Sequence, residues 1–157
     1  MALYGSPVNL TQNVYFYTNP NEMPVKRSAV FSFEIKVTPD TIDNLNHVNN
    51  MVYLKWVNQA ATKHWAFLSD NKFESTYSWV AVRHEIDYLK PAFLNDIVTI
   101  KTWVGETHGV KSIRYVEIYA NDSLLVKTKT IWCLLDAKTM RPRRIKEDIL
   151  SVLKPGN

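Results

Sequence analysis

Residues 51–68 read MVYLKWVNQAATKHWAFL: eighteen positions, twelve of them apolar, with no glycine or proline. That length is too great for an ordinary strand and suits a helix buried over much of its circumference. At 100° per residue, Lys55, Asn58, Gln59, Thr62 and Lys63 fall in one arc of roughly 140°, so the remaining faces are apolar and something must wrap them. The flanking sequence supplies the wrapping. From Ser28 to Val37 the apolar positions Val30, Phe31, Phe33, Ile35 and Val37 follow mostly period two, which predicts a strand ending before Pro39. Beyond the helix come four more strands: Trp79 to Leu89, stopped by Lys90-Pro91; Asp96 to Glu106; Val110 to Asn121; and Leu124 to Leu135. The turns His108-Gly109 and Asn121-Asp122 are short enough for antiparallel hairpins, and Lys146 to Leu153 adds a short helix. One strand, one long helix and four antiparallel strands make an α+β domain, a curved antiparallel sheet around a central helix. Its open edges are most cheaply covered by a second copy, so a homo-oligomer is expected.

Composition sets the outer bounds. The chain has 157 residues, 46% hydrophobic, enough for one domain that buries roughly two thirds of its unfolded surface without covalent staples. That domain is expected over 28–157, after a polar, turn-rich arm over 1–27 in which Tyr15-Phe16-Tyr17 offers at most a short strand. The single cysteine, Cys133, allows no intramolecular disulfide and fits a reducing, cytoplasmic setting. No CxxC or HExxH occurs, so neither a zinc ribbon nor a zincin is expected, and no metal. With four glycines, both glycine-rich phosphate loops are absent as well. No apolar run reaches spanning length and residues 1–10 have no charged start followed by an apolar stretch, so no membrane span or signal peptide is expected. Nineteen Lys+Arg against fifteen Asp+Glu leave +4. The one dense basic cluster, Arg141, Arg143, Arg144 and Lys146, is not interleaved with aromatics, so nucleic acid is not an expected partner.

The turn before the helix reads Asp40-Thr41-Ile42-Asp43-Asn44-Leu45-Asn46-His47-Val48-Asn49-Asn50. An acid, a histidine and several amides within eight residues of a helix start are first of all caps, because their side chains accept the orphan N–H groups. The pattern also has a family likeness. Asp43-x-x-x-His47-Val48-Asn49-Asn50-x-x-Tyr53-x-x-Trp56 resembles the active-site turn and central helix of the hotdog-fold thioesterases, the 4-hydroxybenzoyl-CoA and acyl-ACP thioesterase superfamily. Glu85-Ile86-Asp87-Tyr88-Leu89-Lys90-Pro91-Ala92 with Asp96-Ile97-Val98-Thr99-Ile100 resembles that family's second and third strands. Thr130-Ile131-Trp132, running into Asp136 and Arg141-Pro142-Arg143, resembles its ending. The likeness spans residues 28 to 147.

The resemblance implies a hotdog fold and hydrolysis of an acyl-CoA or acyl-ACP thioester by a homodimer or homotetramer, with no cofactor and with the site between subunits. It puts the catalytic carboxylate at Asp43, as general base on water or as nucleophile forming a mixed anhydride. His47 would position the loop or polarise the water. Backbone N–H groups near Asn49 and Asn50 would hold the thioester oxygen where the helix dipole favours negative charge. Asn50 and Tyr53 are expected at the substrate end of the helix. Arg143 and Arg144 would meet the phosphates of coenzyme A or an acidic carrier protein. Glu85 stands where the plant enzymes carry a catalytic glutamate, but it shares a polar period-two face with Arg83 and Asp87. There are departures: the bacterial form often has glycine at the place of Asn46, and the plant form has asparagine at the place of Leu45. A module that binds acyl thioesters without cleaving them, and a hydroxyacyl dehydratase of the same fold, are the competing readings. His64 is expected as a packed core histidine, His84 as either site-facing or buried and hydrogen-bonded, and Cys133 as a small buried hydrophobe.

Overall fold

The computed structural model describes residues 30–153; the arm expected over 1–27 lies outside them. In order come β1 (Phe31–Lys36), a single 3-10 turn (Pro39–Thr41), α1 (Asn50–Ser69), β2 (Tyr77–Tyr88), β3 (Ile97–His108), β4 (Lys111–Ala120), β5 (Ser123–Asp136) and α2 (Glu147–Leu153). The strands form one antiparallel sheet in the order β1-β3-β4-β5-β2. Pairing slips between Ala81 and Arg83 on β2 and between Val104 and Thr107 on β3. Irregularities of this kind sharpen the local twist, which lets the sheet bend around α1. This is the α+β hotdog architecture.

The strand alternation decides what α1 meets. Val98, Ile100, Thr102 and Val104 of β3, with Ser112, Arg114, Val116 and Ile118 of β4, are all buried at period two. On α1, Tyr53, Trp56, Val57, Ala60, Ala61 and His64 are buried, whereas Lys55, Asn58, Thr62 and Lys63 face solvent and Gln59 is half-buried. The polar arc is therefore an exposed stripe of the helix, and Met51 and Phe67 near its two ends are open as well. Two apolar clusters result. One joins Tyr53, Trp56, Val57 and Ala60 to Val98, Ile100, Val116, Ile118 and Val126. The other gathers Val104, Leu134, Ile145, Ile149 and Leu153, with Trp65, Phe73 and Trp79 packed against it. Buried polar side chains also share this interior: Thr102, Ser112, Arg114, Thr128, Thr130 and His64.

The β2–β3 loop is locked to the helix from two directions. The Ala92 N–H donates to the Tyr53 hydroxyl at 2.9 Å, and the Ala92 carbonyl accepts from the Val48 N–H at 2.9 Å. Ala92 is 0% exposed, so both groups would be costly to leave unpaired. Tyr53→Phe should lower unfolding free energy by about 1–3 kcal/mol in urea titrations, because it strands the Ala92 N–H while keeping the ring.

Candidate active site

The turn carrying Asp43 is closed by its own backbone. Asp43 N–H donates to the His47 carbonyl at 3.0 Å, and Asn46 N–H donates to the Asp43 carbonyl at 3.1 Å. Ile42 and Val48 form a bridge, and Asn49 N–H donates to the Thr41 carbonyl at 3.0 Å. Asn46 sits at φ 61°, a left-handed conformation that asparagine tolerates and glycine adopts freely, so either residue suits this position. Val48, 1% exposed, anchors the turn in the core.

This framework brings Asp43 and His47 together. The nearest approach, His47 Nδ1 to Asp43 Oδ1, is 3.8 Å, longer than a hydrogen bond. Asp43 Oδ1 instead accepts from the Leu45 N–H at 2.9 Å. His47 Nδ1 lies 3.3 Å from the Val48 carbonyl, which can only accept, so Nδ1 carries a proton there and Nε2 points away from that bond. Both side chains are partly open, at 19% for Asp43 and 28% for His47. The start of α1 adjoins them. The Asn49 side chain caps the helix by accepting from the Met51 N–H at 2.9 Å, and the Asn50 N–H has no acceptor among the described residues. A free N–H at a helix start beside a carboxylate and an imidazole can hold a developing oxyanion while the carboxylate acts on water.

Other expected site residues lie elsewhere. Tyr53 is not at an open substrate end: it is 2% exposed, its hydroxyl is engaged by Ala92, and its ring meets Trp56 and Tyr88 edge-on. Burial is the main cause that pushes its phenol pKa above the ordinary value. Its contribution runs through the loop it holds. Glu85 is exposed on β2, paired along its own strand to Arg83 at 3.1 Å, with Lys129 opposite it in the ladder. Arg143 binds Asp136 at 2.7 Å and lies over the Tyr77 ring; Arg144 is exposed beside it. Tyr77 opens β2, while the Asp43 turn adjoins its other end, where the Tyr88 hydroxyl donates to the Asn50 carbonyl at 3.2 Å. Within one chain the arginines and Asp43 are thus separated by roughly the length of β2, about 40 Å for twelve residues.

A cavity of about 350 Å³ opens at the arginine end, between α1, the sheet and α2, lined among others by Trp65, Trp79, Trp132, Tyr77, Ser112 and Arg114. Arg114, 6% exposed, was not recognised as a site residue from the sequence. The signal was its place in the alternation Ser112, Arg114, Val116, Ile118, an arginine where the pattern points inward. Its Nη1 donates to His64 Nδ1 at 2.7 Å and to Thr102 Oγ1 at 3.0 Å. His64, stacked on Phe31, is thus the packed core histidine expected, its Nδ1 an acceptor and therefore unprotonated. Burial first, and the Arg114 charge second, bring its pKa down to about 3. Burial likewise brings Arg114 down to about 10, still protonated at neutral pH. His84 is half-buried with Nδ1 2.9 Å from Thr130 Oγ1, and Cys133 is buried. No group of residues able to hold a metal ion occurs among the described residues, and none of their helices is long and apolar enough to cross a membrane.

The His64 environment has a measurable consequence. In the unfolded chain the ring takes up a proton below its ordinary value of 6.5, whereas in the fold it does so only near 3. In that window the unfolded state binds more protons, so stability is full above 6.5 and falls with pH at up to about 1.4 kcal/mol per unit. His64→Gln keeps an acceptor for Arg114 and should flatten this slope in denaturant titrations run from neutral to acid pH.

Comparison with known proteins bears on the fold and the family. Among curated proteins no sequence relative is found. Among solved structures, a probable thioesterase from Bartonella henselae is 26% identical, with a TM-score of 0.64, over 76% of this chain and 100% of its own. A 1,4-dihydroxy-2-naphthoyl-CoA thioesterase from Synechocystis is 16% identical, with a TM-score of 0.66, over 79% of this chain and 95% of its own. A Staphylococcus aureus protein solved in complex with CoA is 17% identical, with a TM-score of 0.71, over 84% of each chain. The sequence model for the acyl-ACP thioesterase N-terminal domain matches residues 28–153, nearly the whole span in which the turn, the central helix and the five strands lie, and the chain therefore belongs to the acyl-ACP thioesterase family of thioester hydrolases.

Proposed function

We propose that the protein hydrolyses an acyl thioester of phosphopantetheine, carried by CoA or by acyl carrier protein, to the free acid and the thiol. The observation that carries this reading is the open Asp43 carboxylate beside His47 and the unpaired Asn50 N–H at the start of α1. Asp43 takes a proton from water as the water attacks the thioester carbon. The oxyanion that forms is met by the Asn50 N–H, and its collapse expels the thiolate. His47, with Nδ1 held on the Val48 carbonyl, keeps Nε2 available to orient the water. Attack by Asp43 itself would give a mixed anhydride instead, and single turnover in 18O-water separates the two by whether label enters the Asp43 carboxylate.

The cavity is too far from Asp43 in the same chain to hold the acyl group of a thioester placed there. Its helix residues Ala61 and Trp65 lie about 17–22 Å along α1 from Asn50. The edge strand β2 resolves this. Among the described residues it is paired only to β5, and its other side carries no strand along twelve residues. Antiparallel pairing of two β2 edges about a twofold axis sets the Tyr77 end of one copy against the Tyr88 end of the other. The Asp43 turn of each copy then serves the cavity of its neighbour. The basic residues Arg141, Arg144 and Lys146, exposed near the cavity end, meet the carrier phosphates.

Thiol release from a panel of acyl-CoAs and acyl-ACPs tests the activity. Asp43→Asn should lower turnover at least about a hundredfold with an unchanged melting transition; turnover by the variant equal to wild type removes Asp43 from the reaction, and no turnover of any ester by the wild type favours a binding module. Subunit sharing has its own test. Asp43→Asn and the cavity-blocking Thr62→Trp should each be inactive alone, yet regain about a quarter of wild-type activity after subunit exchange. A mixture that stays inactive places the whole site within one chain.

A further inference from the structure

Arg114 is a buried cation, and no anion among the described residues pairs with it. Among the described residues no carboxylate comes within 4.0 Å of it, and its two hydrogen-bond partners, His64 and Thr102, are neutral. Both bonds leave from Nη1, which spends that nitrogen's two protons. A guanidinium carries five N–H donors, so Nε and Nη2 retain three, and none has an acceptor among the described residues. If Arg114 served only to tie α1 to the sheet, the Nη1 bonds would suffice. Thr102 is itself fixed, because its hydroxyl donates to the Tyr115 carbonyl at 2.9 Å, so it can only accept from Arg114. The fork is therefore oriented by its partners and left unfilled on one side.

Two further donors without partners belong to the same cavity. The indole nitrogens of Trp79 and Trp132 are buried and make no hydrogen bond, and both residues line the cavity with Arg114. Buried donors left unpaired are costly, and a buried cation is more so, unless a ligand completes them. The remaining wall is largely aromatic and aliphatic, with Trp65, Tyr77 and Val104, and adds the hydroxyl residues Thr62, Ser78 and Ser112. The single acid among the lining residues, Glu74, is exposed to solvent. A plain alkyl chain would satisfy the apolar wall and leave every one of these donors empty.

We propose that the cavity selects acyl groups that end in a carboxylate, so that the preferred substrate is the thioester of a dicarboxylic acid, with Arg114 gripping the free carboxylate through Nε and Nη2. This rests on the thioesterase reading above and adds the substrate class. The carboxylate enters bidentately on the guanidinium fork, the methylene chain lies along Trp65 and Trp79, and the thioester end emerges at the cavity mouth.

The test compares matched pairs of CoA esters, glutaryl with pentanoyl and suberyl with octanoyl, on the full chain. Wild type should favour the carboxyl-terminated member of at least one pair by about tenfold or more in kcat/KM. Arg114→Met should collapse that ratio by at least about tenfold, and Arg114→Lys, which keeps the charge and loses the fork, should fall between. Trp132→Phe, which removes one N–H and keeps an aromatic wall, gives a smaller drop and covers the case in which Arg114 variants do not fold. A wild type that prefers the plain ester of every pair overturns the proposal while leaving the thioesterase reading intact, as does an Arg114→Met ratio equal to wild type. Binding of the corresponding non-hydrolysable S-alkyl and S-(ω-carboxyalkyl) CoA thioethers, followed by calorimetry, reads the same preference without turnover. If no ester is cleaved, tighter binding of the carboxyl-terminated thioether supports the cavity assignment alone, and equal binding overturns it.

Discussion

A helix that is apolar on all but one arc has to be enclosed, and enclosing α1 is the constraint on which the rest of this molecule depends. The sheet bends at the irregularities in β2 and β3 so that alternate residues of its middle strands reach the helix. The β2–β3 loop closes the arrangement at the helix start, where Tyr53 and Val48 hold the two sides of Ala92. That clamp fixes the turn between β1 and α1, and with it the separation of Asp43, His47 and the Asn50 N–H. The chemistry of the site is thus a by-product of how the helix is seated.

The enclosure is not uniformly apolar. Arg114, His64, Thr102, Thr128 and Thr130 put buried polar groups beneath the helix. Buried polar groups of this kind cost stability unless each finds a partner. Several do, as Arg114 with His64 and Thr102, and His84 with Thr130. Others do not: the hydroxyls of Ser69 and Thr128 and the indole nitrogens of Trp79 and Trp132 are buried without a partner, and the two indoles line one cavity with Arg114. The β2 edge, unpaired on one side among the described residues, runs between the cavity end and the Asp43 turn.

Much of this was legible in the chain itself. The length and period of residues 51–68 required the central helix, which runs over Asn50–Ser69, and period-two runs with short turns required the antiparallel strands. Asp43 and His47 were recognisable as neighbours because only three residues of a tight turn separate them. Arg114, by contrast, meets His64 across fifty residues, and the cavity it lines draws on both helices and three or more strands. Its only trace was a charge at an inward strand position, which becomes informative once the sheet's inner face is known.

The sequence by itself determined the elements, their order and the local constellation at the helix start, because hydrophobic period, turn residues and capping act over a few residues along the chain. It pointed Tyr53 toward substrate because a tyrosine one turn into a helix has no assigned partner until Ala92 is brought to it. It assigned Arg143 and Arg144 to carrier phosphates because they form the one dense basic cluster, but that within one chain β2 lies between them and Asp43 is visible only in the fold. Only the tertiary structure decided which polar side chains are buried together, which donors are left over and where the cavity lies. Those properties depend on distances between residues remote in sequence, which packing sets and no local pattern encodes.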